Sequence, residues 1–159
     1  MEKIVENIKQ IYAYDTWKRR KIETDSRYFP VMLKLPQTAG FVIERSIAPV
    51  PIIGAYETTW KAVENSNIRF RVEVIPFDSM EEADECVLSK LCGVSVMLPR
   101  VDSGDNEDRI IFGDPDRILI GRECNVYWCM QNLCAEKTNL IEFQNELLRA
   151  VAITSQDRQ

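Results

Sequence analysis

Apolar and polar residues alternate strictly from Ile68 to Val74. Ile68, Phe70, Val72 and Val74 fall on one side, Arg69, Arg71 and Glu73 on the other. A period of two marks a β-strand, and one apolar side with one charged side marks an antiparallel sheet with a packed face and a wet face. The period then changes to that of a helix. Met80, Ala83, Val87 and Leu91 share a stripe, Ser79 and Glu82 have capping-box spacing, and Gly93 supplies a stop. A helix over 79–92 is predicted, covering the packed face of the strand through that stripe.

A similar sequence of patterns recurs downstream. Residues 126–131 read as a strand, and Leu140, Phe143, Leu147, Leu148 and Val151 form the apolar stripe of a helix over 139–152 that begins at Asn139. Each strand follows a turn and another apolar strand. The layout therefore suggests two pseudo-duplicated hairpin-plus-helix units, at 54–93 and 109–152.

The remaining elements are shorter. Ile4, Val5, Ile8, Ile11 and Tyr12 lie on one stripe of an N-terminal helix over about 2–21. Lys18, Arg19, Arg20 and Lys21 crowd its far end, where cations complement the helix dipole. Strands are predicted at 28–35, 40–46 and 56–63, with Pro49 and Pro51 interrupting pairing because proline has no N–H to donate. Val94 to Leu98 is a further short strand. Residues 109–112 and 117–120 flank a turn at 113–116, and Gly121 to Cys124 turns the chain into the strand at 126. The end, from Thr154, is expected to fray.

These elements predict an α+β fold: one domain over 1–159, a mostly antiparallel sheet, and helices packed on one face. The length of 159 residues suits one domain, and no Gly/Ser-rich stretch divides it. No apolar run approaches the roughly 20 residues of a membrane span. The first residues lack the apolar core of a signal peptide. The expectation is a cytoplasmic protein.

Charge is uneven. Residues 1–36 carry 8 Lys or Arg against 5 acids, and residues 76–116 carry 11 acids against 3 Lys or Arg, within a net charge of −5. An acidic middle argues against nucleic acid, which is bound by neutralising phosphates. It suits a basic protein partner, since opposite charge speeds encounter. A merely solvated surface accounts for the same charges.

The chain has no histidine. That removes histidine acid–base catalysis, Ser-His-Asp and Cys-His mechanisms, and every His-ligated metal site. No phosphate-binding glycine motif is present. The five cysteines, Cys86, Cys92, Cys124, Cys129 and Cys134, contain no C-x-x-C pair and no Cys-x5-Arg loop. They are expected to be reduced and unliganded. A Cys124–Cys134 bridge is the pairing to check in an exported protein. The acids around Asp102 fail the EF-hand spacing, because Gly104 stands third rather than sixth. Paired-carboxylate hydrolysis depends on distances that a sequence does not supply. The residue set points away from an enzyme, and no metal or cofactor is implied.

Two binding readings remain. In the first, the protein engages a protein partner, with Arg69, Arg71 and Glu73 on the wet sheet face and Asp102, Asp105, Glu107 and Asp108 in the acidic loop as contacts. Of the adjacent Tyr127 and Trp128, one must face that less-covered side, beside the arginines. In the second, a small apolar ligand sits between sheet and helices against Tyr56, Trp60, Phe70 and Trp128. Neither reading fixes an oligomeric state.

Overall fold

The computed structural model describes residues 2–17, 40–50, 55–134 and 136–157. Six strands form one antiparallel sheet: β1 (Phe41–Val50), β2 (Ala55–Ala62), β3 (Arg69–Pro76), β4 (Arg109–Asp114), β5 (Ile118–Glu123) and β6 (Val126–Asn132), in the order β1-β2-β3-β6-β5-β4. Among the described residues four helices accompany them: α1 (Glu2–Ile11), α2 (Tyr14–Trp17), α3 (Met80–Cys92) and α4 (Ile141–Asp157). The fold is α+β.

Register explains which side chains share a face. β3 pairs with β6 so that Val72 opposes Met130 and Val74 opposes Trp128, while Glu73 opposes Cys129 and Ile75 opposes Tyr127. The first set belongs to a core of Trp60, Phe70, Ile111, Leu119 and Trp128 covered by Leu140 and by Phe143, Leu147 and Leu148 of α4. The second set lies on the opposite face. There Ala83, Val87, Leu88 and Leu91 of α3 pack on Ile110, Ile118, Ile120, Tyr127 and Cys129, and Tyr12, Tyr14 and Trp17 close the side.

Helices thus cover both faces, not one. α3 does not cover the Phe70 side of β3, as its stripe suggested; that side belongs to α4. The sequence pattern missed this because β4, β5 and β6 are apolar on both sides. Ile110, Ile111 and Phe112 are all buried, as is every residue of β5. Of the predicted wet face, Arg69, Arg71 and Glu73 of β3 are half-buried. The two three-strand meanders meet at the β3–β6 seam, and each is followed by a helix. The helices leave for opposite faces.

Packing, not surface charge, fastens α4. Leu140, Phe143, Leu147 and Leu148 are each at most 5% exposed. Burying such a side chain is worth about 1.5–3 kcal/mol. The exposed Arg149–Glu146 pair one turn apart adds only about 0.3–0.5 kcal/mol. Asn139 starts the helix by accepting from the Ile141 amide at 2.9 Å, and Ser79 starts α3 by accepting from the Glu82 amide at 3.2 Å.

Other boundaries move for local reasons. α1 ends at Ile11 because Ala13 takes a φ of 51°, and the chain restarts as α2. Residues 18–21 of the predicted helix and the predicted strand at 28–35 lie outside the described residues. β1 runs on through Pro49, with pairing shifted between Ile47 and Val50. Gly121 to Glu123 belong to β5, and the turn is only Cys124 and Asn125. Val94 to Leu98 is not a strand; Leu98 is tied down by its N–H donating to the Tyr12 hydroxyl at 3.0 Å. α4 is helical to Asp157, past the predicted end at 152.

Candidate functional site

α3 packs on one face of the sheet, against β5 and β6, and a cleft opens along its C-terminal half. The cleft has a volume of about 600 Å³ and runs between α3, the chain just after it, the start of β5, and β3 with β6. A typical small-molecule site has about 300–1,000 Å³. Its chemistry comes from both meanders. Glu73 lies on β3, Cys86 and Lys90 on α3, Arg117 in the β4–β5 turn, Tyr127 and Gln131 on β6, and Lys137 in the loop before α4.

The floor is pre-ordered. The Tyr127 hydroxyl donates to Glu73 Oε1 at 3.0 Å, and the Arg71 guanidinium donates to Gln131 Oε1 at 3.1 Å. Burial, reinforced by the Cys129 and Glu73 charges, pushes the Tyr127 phenol well above its ordinary range. Burial likewise raises the Cys86 thiol to about 12, with Glu73 adding to the shift and Lys90 opposing it. Both groups stay protonated near neutrality. Neither is an activated nucleophile or base.

The other thiols follow the same physics. Cys124 and Cys129 are each raised to about 11, burial being the main cause in both. All five cysteines are free. Among the described residues no group of three or more Cys, Asp or Glu side chains is placed to hold a metal ion. No described helix is long and apolar enough to cross a membrane.

The predicted contact residues separate. Glu73 lines the cleft, and Arg71 borders it through Gln131. Arg69 lies beyond, paired with Glu44 at 3.3 Å. The acidic loop belongs to the other end of the sheet. Asp102 is engaged there: it takes Arg100 in a two-pronged pair at 2.8 and 3.0 Å and accepts the Ile111 and Gly104 amides at 3.1 Å each. Burial alone would raise its carboxyl, but these bonds outweigh burial and hold it below its usual range. Pro99 to Asp102 in this way shield the outer edge of β4, where Gly113 and Val101 also bond across. Asp105, Glu107 and Asp108 are exposed.

The expected aromatic pocket is a packed core instead. Trp60 stacks on Phe70 with ring centres 6.3 Å apart, and Phe143 meets both edge-on at 4.9 Å. Trp128 is fully buried. None of Trp60, Phe70, Phe143 and Trp128 lines the cleft, which lies on the opposite face of the sheet. Tyr56 stands opposite Val74 on β2, and its side chain lies outside the described residues. Tyr127, the aromatic on the arginine-bearing face, is only 1% exposed because α3 covers it. The sequence signal for the cleft was faint. Lys90, Arg117 and Lys137 stand far apart in the chain, and only the seam gathers them.

Comparison of the chain with protein-family models, curated proteins and solved structures finds no match.

Proposed function

We propose that this protein is a non-enzymatic binding protein that takes a small polar ligand in the cleft beneath the C-terminal half of α3. The observation that carries the reading is a concavity of about 600 Å³ with polar groups from both meanders converging on it. The protonated Cys86 and Tyr127 and the lack of histidine support binding over catalysis. The ligand differs from the apolar one that the sequence suggested, since the walls include Glu73, Lys90, Arg117, Gln131 and Lys137. A fragment screen followed by amide chemical shifts tests it. Shifts should cluster on Ser89, Gly93, Ser95, Gln131 and Asn132. Shifts scattered over the surface, or none with any fragment, would defeat the reading.

A second reading, a basic protein partner on an acidic surface, is favoured by one separate observation. Burial and then the charges of Asp84, Glu85, Glu81 and Asp15 raise the Tyr14 phenol to about 12. Asp15 of α2 and Glu81 and Glu85 of α3 therefore gather around Tyr14. Charge reversal at Asp105, Glu107 and Asp108 should weaken capture of a basic partner. Capture that ignores the reversal removes the electrostatic part of this reading.

A further inference from the structure

We infer that the cleft ligand is a small organic oxyanion, a phosphomonoester or a dicarboxylate, carrying a hydroxyl or amino group; the inference rests on the cleft being a binding site. Three of the four charged side chains that line the cleft, Lys90, Arg117 and Lys137, are cations, in a chain of net charge −5. They come from the end of α3, the β4–β5 turn and the loop before α4. No single basic run accounts for them. The dipole at the end of α3 is a sufficient structural reason for Lys90 alone. It gives none for Arg117 or Lys137.

Pairing sets Arg117 apart from the other arginines with described side chains. Arg69, Arg100, Arg109, Arg122 and Arg149 each meet a carboxylate, and Arg71 meets Gln131. Lys90, Arg117 and Lys137 have no ion pair and no side-chain hydrogen bond among the described residues. A guanidinium presents a planar fork of donors and an ammonium a compact charge, and the two together match the several oxygens of a phosphate or of paired carboxylates.

The rest of the cleft completes the description. Glu73 Oε1 is taken by Tyr127, while its second oxygen is left to accept from a ligand hydroxyl or amine. Val94 and Ile118 supply apolar wall. An anionic head for Lys90, Arg117 and Lys137 and a donor for Glu73 are thus carried on a short carbon skeleton.

The test is calorimetric titration and amide shifts on the full chain, with glycerol 3-phosphate, aspartate, succinate and inorganic phosphate as anionic probes and glycerol and ethanolamine as uncharged and cationic controls. The anions should compete with one another and shift the amides of Ser89, Gly93, Gln131 and Asn132. Glycerol 3-phosphate and aspartate should bind more tightly than inorganic phosphate and succinate, and Glu73→Gln should shrink that advantage. The pair Lys90→Gln with Arg117→Gln should weaken the anions by about tenfold or more, with the melting curve in place. Lys3→Gln, at an exposed position of α1 outside the cleft lining, should change nothing. If the controls shift the cleft amides and the anions do not, or if the double variant binds anions unchanged, the oxyanion inference falls while the cleft remains a binding site. If no probe of any charge shifts those amides, both fall together.

Discussion

Arg122 of β5 and Asp84 of α3 form an ion pair from which water is excluded, their side chains being 1% and 0% exposed. The Nη1 hydrogens donate to the carbonyls of Asp108 and Cys124 at 2.9 and 3.1 Å, and Nη2 donates to the Glu107 carbonyl at 3.5 Å. One buried cation therefore ties the helix, the acidic loop and the β5–β6 turn to a single point. A buried pair holds its place through completeness: removing one partner leaves a desolvated charge, whereas replacing both by apolar groups can be neutral.

Asp84→Asn should accordingly cost about 3–5 kcal/mol of unfolding free energy. The double change Asp84→Leu with Arg122→Met should recover most of it. Urea denaturation of the three proteins checks this. A double variant no better than the single one would mean that Arg122 acts mainly through its backbone carbonyls.

Gly121 admits Trp128. A β-carbon there would stand 2.5 Å from Trp128 Cζ2 and 2.7 Å from the Ile110 carbonyl oxygen. Overpacking of this kind costs about 1–3 kcal/mol, and the backbone contact leaves little room to relax. Gly121→Ala should lower stability by at least that much and alter the near-ultraviolet circular dichroism of Trp128. An unchanged melting temperature would show that the ring can swing aside.

Acid should loosen the β4 edge. The Asp102 carboxyl is held below its usual range in the folded chain, so it contributes stability that is present above the unfolded value of about 3.9 and lost as pH falls through the folded one. Asp102→Asn should cost about 1–2 kcal/mol at neutral pH and flatten the dependence of stability on pH below about 4. Equal losses at pH 7 and at low pH would assign the effect to shape instead of charge.

Alkali should loosen the opposite face. Cys86, Cys124 and Cys129 are raised to about 12, 11 and 11. In the unfolded chain they would release protons near the ordinary thiol value of about 8.5. Between those limits the unfolded state binds fewer protons, so stability falls as pH rises. Stability measured between pH 8 and 10.5 (about the span separating those thiol values) should decline less steeply once Cys86 and Cys129 are replaced by alanine. In the native protein these thiols should also alkylate slowly at pH 8. Rapid labelling of Cys86 would contradict its protonated state.

How far the sequence could be read depended on what each pattern encodes. β3 and α3 were legible because their periods and the Ser79 cap are local facts. The partner of each face was not. Phe70 and Val87 are both apolar, and nothing local says that one packs under α4 and the other under α3. The double-sided burial of β5 erased the alternation that would have told them apart. Asp102 read as one acid of a polar loop, because its partners, Arg100 and the Ile111 amide, are set by how the loop folds back on β4. Of the cleft the strand alternation marks Glu73, the neighbouring Arg71 and one of the pair Tyr127 and Trp128, since these share a strand face. Lys90, Arg117 and Lys137 carry no shared motif.

The strand order has a kinetic consequence. Each meander is assembled from neighbours in the chain, and its turns close over short spans; β5 and β6 are joined by only Cys124 and Asn125. The seam is different, for Arg71 and Gln131 meet across 60 positions. Closing a long loop demands more chain entropy before any contact repays it, and non-local pairing slows folding. The seam should therefore set the rate, with both meanders waiting on it. Truncating Val72, opposite Met130 on the seam, should slow refolding, while a change of equal cost at Ile111 in outer strand β4 should chiefly hasten unfolding. The protein would then be built in two quick local steps and one slow join.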